Sequence, residues 1–180
     1  PGLADGFSHC RQLTSLELTL RCMDVDLGLG CAEALLPALG SCRSLRALSL
    51  DLDASLACGG TLLAGVARML QGLSAWGRLD QLGLGFFWWT EAADEDLLSM
   101  REALQTCGSV RSLTLRCPQD QEMGALDASC AVIEGAAESL EDICVVEGWG
   151  NDGSGLLELK EAMGICRRLR RGGVVGGLPT

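Results

Sequence analysis

The chain has 180 residues, 48% of them hydrophobic, which suits one domain with a continuous buried core. Its formal net charge is -10 and Lys160 is the only lysine, which argues against nucleic acid as a partner, because phosphate contacts need clustered Lys and Arg. His9 is the lone histidine and tyrosine is absent, so acid–base and metal chemistry have little to draw on, and neither catalysis nor a cofactor is expected.

One apolar pattern organises the chain. It begins as Leu13-x-x-Leu16-x-Leu18, whose period-two alternation predicts a half-buried strand. A helix follows with Leu35, Leu39 and Cys42 placed ten, six and three residues before the second strand, Leu45-x-x-Leu48-x-Leu50. Separations of three, four and seven put such residues on one helical face. Pro37 falls within an early turn of that helix or kinks it. The next helix, opened by Thr61, carries Met69, Leu73 and Trp76 at the same offsets before Leu79-x-x-Leu82-x-Leu84. The acidic run Asp94-Glu95-Asp96 opens a helix with Met100, Leu104 and Cys107, followed by Val110-x-x-Leu113-x-Leu115. Asp127 begins a further helix with Cys130 and Ala137, in which Glu134 breaks the apolar series, and then Leu140-x-x-Ile143-x-Val145. The turn Asn151-Asp152-Gly153-Ser154 precedes the last helix, with Leu159, Met163 and Cys166. A worn strand copy starts at Leu169, with Gly172 in the second apolar place and Val174 in the third. The acidic and hydroxyl residues suit helix starts, and Arg11, Arg43, Arg78, Arg111 and Arg167 are read as helix ends matched to the dipole.

The intervals between first positions are 32, 34, 31, 30 and 29 residues. In this strand-plus-helix pattern the chain resembles the leucine-rich-repeat family, in the long-repeat form of ribonuclease inhibitor and of F-box repeat proteins. The resemblance covers residues 10 to 175. Two features depart from it. The intervals run above the ~20–29 residues usual for this repeat. The Asn or Cys that commonly follows the strand is also replaced, by Arg21, Asp53, Phe87, Pro118 and Gly148 in turn. The resemblance implies an α/β solenoid of five to six repeats, with a curved parallel sheet on the concave side and helices on the convex side. A single such domain is expected over residues 1–180. The chain starts without Met, so a processed chain or a piece of a longer one is expected.

Strand alternation then says which residues face outward. With the leucines in the core, the concave face takes Ser15, Glu17 and Thr19; Ala47, Ser49 and Asp51; Gln81, Gly83 and Gly85; Ser112, Thr114 and Arg116; and Asp142, Cys144 and Val146. The face is small and mildly polar, with no convergent titratable cluster of the kind catalysis needs. Phe86-Phe87-Trp88-Trp89 holds four of the seven aromatic residues. Phe86 matches Leu20, Leu52 and Cys117 in the repeat, which assigns it to the core, while Phe87 and Trp89 point the other way. They serve either as interface anchors or as local packing, and Trp149 takes a similar place two repeats on. The expected partner surface comprises Glu17, Thr19, Ser49, Asp51, Phe87, Trp89, Thr114, Arg116 and Trp149. Arg167, Arg168, Arg170 and Arg171 form a basic cluster near the end of the last helix, either a solvated helix end or a dock for an acidic partner.

Ten cysteines raise the question of disulfides or zinc, yet none form a C-x-x-C pair. Cys10, Cys42, Cys107 and Cys166 recur at one repeat position, as small buried hydrophobes would. Reduced thiols point to an intracellular, cytoplasmic setting, and no apolar run reaches the ~20 residues of a membrane span. Gly28-Leu29-Gly30-Cys31-Ala32-Glu33 imitates a dinucleotide-binding fingerprint, but Glu33 stands where a third glycine is needed and would repel pyrophosphate. The expected function is a non-catalytic protein–protein interaction scaffold, acting alone or as one subunit of a larger assembly. The alternative is the substrate-recognition module of a ubiquitin ligase, with a nucleotide-dependent enzyme as the remote one.

Overall fold

Each alternating Leu-x-Leu segment forms a strand, and each stretch with apolar residues at three, four and seven forms a helix. The computed structural model describes residues 2–10, 12–22, 30–54, 59–87, 93–117, 123–147 and 154–176. In chain order the elements are α1 (Gly2–His9), β1 (Ser15–Cys22), a π-helical turn (Cys31–Leu35) running into α2 (Leu36–Gly40), and β2 (Ala47–Ala54). Then come α3 (Gly59–Ser74), β3 (Gln81–Phe87), α4 (Asp94–Cys107), β4 (Ser112–Cys117), α5 (Met123–Ala136), β5 (Asp142–Glu147), α6 (Ser154–Gly164) and β6 (Arg171–Gly176).

The protein is thus α/β, with one six-stranded parallel sheet whose strands alternate with helices. Spatial order follows chain order, β1 to β6, without reversal. Leu16, Leu48, Leu82, Leu113 and Ile143 share one register row, and Leu18, Leu50, Leu84, Leu115 and Val145 share another. Each helix packs on the next, α2 on α3 through to α5 on α6, so the helices form one layer over one face of the sheet. The core lies between the two layers.

Small residues let neighbouring helices approach closely. A Cβ on Gly72 would stand 3.0 Å from the Gly40 backbone, and one on Gly65 would stand 2.8 Å from the Ala32 Cα. Gly135 meets α4 in the same way, 2.8 Å from the Arg101 carbonyl oxygen and from the Leu104 Cβ. The Arg101–Glu134 ion pair ties α4 to α5 beside that contact, so Glu134 breaks the apolar series to make a bridge. Pro37 is accommodated by the π turn ahead of it, where the Leu36 amide bonds back to the Cys31 carbonyl. That wider turn relieves the collision between a proline ring and the carbonyl four residues before it.

The turns ahead of the strands carry two devices that the repeat pattern alone does not reveal. Ser109 Oγ donates to the Leu79 carbonyl at 2.9 Å, and Ser139 Oγ donates to the Val110 carbonyl at 2.7 Å. Each hydroxyl ties its unit to the preceding one, at a different place from the missing post-strand Asn or Cys. One residue before the strands, Arg46, Asp80, Arg111, Glu141 and Arg170 alternate in sign. Three ion pairs follow: Arg46–Asp80 at 3.8 Å, Arg111–Glu141 at 3.4 Å and Arg170–Glu141 at 3.5 Å. Exposed pairs of this kind contribute about 0–1 kcal/mol each, so the hydroxyls matter more to stability. Ser139→Ala is expected to lower stability by about 1 kcal/mol by removing the donor to a partly buried carbonyl, measured by urea denaturation.

Several local expectations are corrected. Arg43, Arg78, Arg111 and Arg167 follow the helices by three or four residues, so they do not close the last turns. Instead Arg111 pairs with Glu141, and the Arg43 guanidinium stacks 4.4 Å above the Trp76 ring. Asp127 lies inside α5, whereas Thr61 stands in the first turn of α3 and Asp94, Glu95 and Asp96 occupy that of α4. Arg167 and Arg168 stand in the turn after α6, Arg170 pairs with Glu141, and Arg171 opens β6. That basic cluster is therefore not a helix end. Arg11 and Asn151 to Gly153 lie outside the described residues.

The pre-strand cysteines divide by location. Cys42, Cys107 and Cys166 are buried, Cys10 is exposed beyond α1, and Trp76 lies 36% exposed because an indole is too large for the thiol's place. Burial pushes the thiols of Cys42, Cys107 and Cys166 up; the nearby Cys10 adds to this at Cys42, and hydrogen bonding to Ser109 opposes it at Cys107. A folded-state pKa raised in this way stabilises fully below the ordinary thiol value, and the benefit disappears as pH rises through the raised value. With one lysine and no tyrosine, the thiols dominate side-chain titration in this range. Urea midpoints should therefore fall above about pH 8.5, and Cys107→Ala should make that fall shallower.

Candidate functional site

The sheet face opposite the helices is the candidate site. Its side chains stand in three rows set by the strand register. The first row holds Ser15, Ala47, Gln81, Ser112, Asp142 and Arg171. The second holds Glu17, Ser49, Gly83, Thr114, Cys144 and Gly173, and the third holds Thr19, Asp51, Gly85, Arg116, Val146 and Val175. Neighbouring parallel strands stand about 4.8 Å apart, so each row is a line of adjacent side chains.

The centre of the face has no side chains, because β3 contributes Gly83 and Gly85. Across this gap Arg116 reaches from β4 to β2, two strands away. Its Nη1 donates to Asp51 Oδ1 at 2.7 Å and to Ser49 Oγ at 3.0 Å. Asp51 and Arg116 are both half-buried, so their pair is better shielded than the ion pairs at the turns. Gly85 stands between the two partners in the register. Gly83 is constrained: an added Cβ would lie 2.9 Å from Ser49 Oγ.

The arginine bridge bounds a shallow basin of about 240 Å³ floored by Gly83 and walled by Ser49, Gln81, Ser112 and Thr114, with Glu17 at its far side. Ser49, Thr114 and Arg116, together with Glu17, are thus gathered around one depression, with Asp51 holding the arginine. Thr19 sits exposed on β1 beside Asp51, outside the basin lining. Phe86 is fully buried, as its repeat position requires. Phe87 ends β3 opposite Asp53, and its side chain, like Trp89 and Trp149, lies outside the described residues. Gly83, Gly85, Gln81 and Ser112 complete the site. Their outward facing was readable from alternation, but the gap left by two glycines in one strand was the unused signal.

Among the described residues no group of three or more His, Cys, Asp or Glu is placed to hold a metal ion. Among them, too, no helix is long and apolar enough to cross a membrane. Compared with known proteins, the chain matches no family model, no curated protein and no solved structure.

Proposed function

We propose that the chain is a leucine-rich-repeat solenoid that binds another protein, without catalysis, on the open face of its sheet. The observation that carries this reading is a parallel sheet in uninterrupted chain order with every packed helix on one side. Strands spaced about 4.8 Å apart and helices spaced about 8–10 Å apart force such a stack to bend with the strands inside the curve. The inner face is then broad and rigid, and its polar side chains with few apolar ones suit a folded partner. Dinucleotide sites of doubly wound sheets lie where strand order reverses. The described sheet has no reversal, which favours the binding reading over the nucleotide-dependent one.

Thr114→Arg places a long charged side chain at the middle of the open face, while Lys160→Ala alters only the exposed side of α6. Affinity capture from the native source should return the same partners with the wild type and with Lys160→Ala, and lose them with Thr114→Arg. Retention of every partner by a folded Thr114→Arg protein would contradict the proposal.

A further inference from the structure

We infer that the basin above Gly83 receives one basic side chain, a lysine or arginine, of the partner protein; this rests on the binding reading above. Size limits the occupant first. At about 240 Å³ the basin falls below the roughly 300–1,000 Å³ of small-molecule sites. It is open and shallow, and it accommodates a single inserted side chain.

Charge then selects the kind of side chain. Arg116 is already committed to Asp51 and Ser49, so that pair is neutral as a unit. Glu17 makes no ion pair among the described residues, which leaves the basin with an uncompensated carboxylate. The remaining walls offer the hydroxyls of Ser49, Ser112 and Thr114 and the amide oxygen of Gln81, all able to accept from an N–H donor. An ammonium or guanidinium brings three to five such donors and the missing positive charge. A carboxylate in the same place would face Glu17 and find the arginine occupied. The net charge of -10 also draws basic partners at long range.

Gly83 and the Arg116–Asp51 bridge have separate parts in this arrangement. The glycine keeps the floor low, and the bridge closes one end so that the inserted chain is directed toward Glu17.

The test uses blocked five-residue peptides, with alanines around a central Lys, Arg, norleucine or Glu, titrated into isotope-labelled protein and followed by amide NMR shifts. The Lys and Arg peptides should move the amides of Gly83, Ser49 and Thr114 with saturable dependence, while the norleucine and Glu peptides leave them in place. Glu17→Gln, on an exposed strand position, should weaken the Lys peptide about five- to tenfold with the rest of the spectrum unchanged. Lys and Arg peptides that leave these amides unmoved at millimolar concentration would overturn the inference, as would an unchanged affinity in Glu17→Gln. Partner capture separates this failure from that of the binding reading. A Glu17→Gln protein that holds its partners as strongly as the wild type overturns the basic-side-chain inference alone, whereas loss of capture by Glu17→Gln together with Thr114→Arg supports both.

Discussion

Phe86→Ala is expected to cost about 3–5 kcal/mol, the range for emptying the site of a buried aromatic ring. Phe86 heads the largest fully buried side chains of the protein and lies in the register row of Leu20 and Leu52. Its ring fills the space between the end of the sheet and the helix layer, where β1 and β2 supply leucine. The cavity left by Ala would lie between the sheet and the helices packed on it. Phe86→Leu supplies the residue found in β1 and β2 and should cost less than about 1.5 kcal/mol. Urea denaturation of both variants checks the pair of values. Equal losses would show that the ring is not filling a core position.

Gly135→Val is expected to cost about 3 kcal/mol or more, at the upper end of what overpacking does. The cause is specific to this contact. The obstruction is the Arg101 backbone of α4, which cannot turn aside as a flexible side chain can. Even Gly135→Ala should destabilise, although alanine in a helix interior normally gains about 1 kcal/mol over glycine. Gly164, at the end of α6, has nothing within 4 Å of an added Cβ, so Gly164→Ala should be neutral or slightly stabilising. Thermal melts of the three variants test the sign difference. A stabilising Gly135→Ala would mean that α4 and α5 are further apart than described.

The parts of the fold that depend on one strand or one helix were readable from the chain. Alternation at Leu48 and Leu50 gave the strand and its inward face, and the series Met69, Leu73 gave the buried side of α3. Equivalent positions also predicted register, so Glu17, Ser49, Gly83 and Thr114 were legible as one outward row. What escaped involves pairs of residues in different units. Arg116 and Asp51 are 65 residues apart and meet across Gly85 of β3. Ser109 and Ser139 recur just before the first apolar residue of the pattern, yet a hydroxyl there looks like ordinary turn chemistry until its carbonyl partner is located. Nothing in the chain alone marks Gly135, because the reason for it lies on α4. The dipole reading of the arginines failed for a related cause. Arg111 pairs with Glu141 and Arg43 stacks on the Trp76 ring, both beyond the helix ends.

Photo-cross-linking tests the central claim, that the open sheet face holds another protein, most directly. A benzophenone side chain placed at Ala47 or Ser112 would project from that face, and one at Lys160 or Glu161 would project from the helix layer. Irradiation in the native source should give discrete covalent adducts from the two sheet positions, diminished when Thr114→Arg is added, and none from the two helix positions. Adducts arising only from Lys160 and Glu161 would contradict the account and place the partner on the helices.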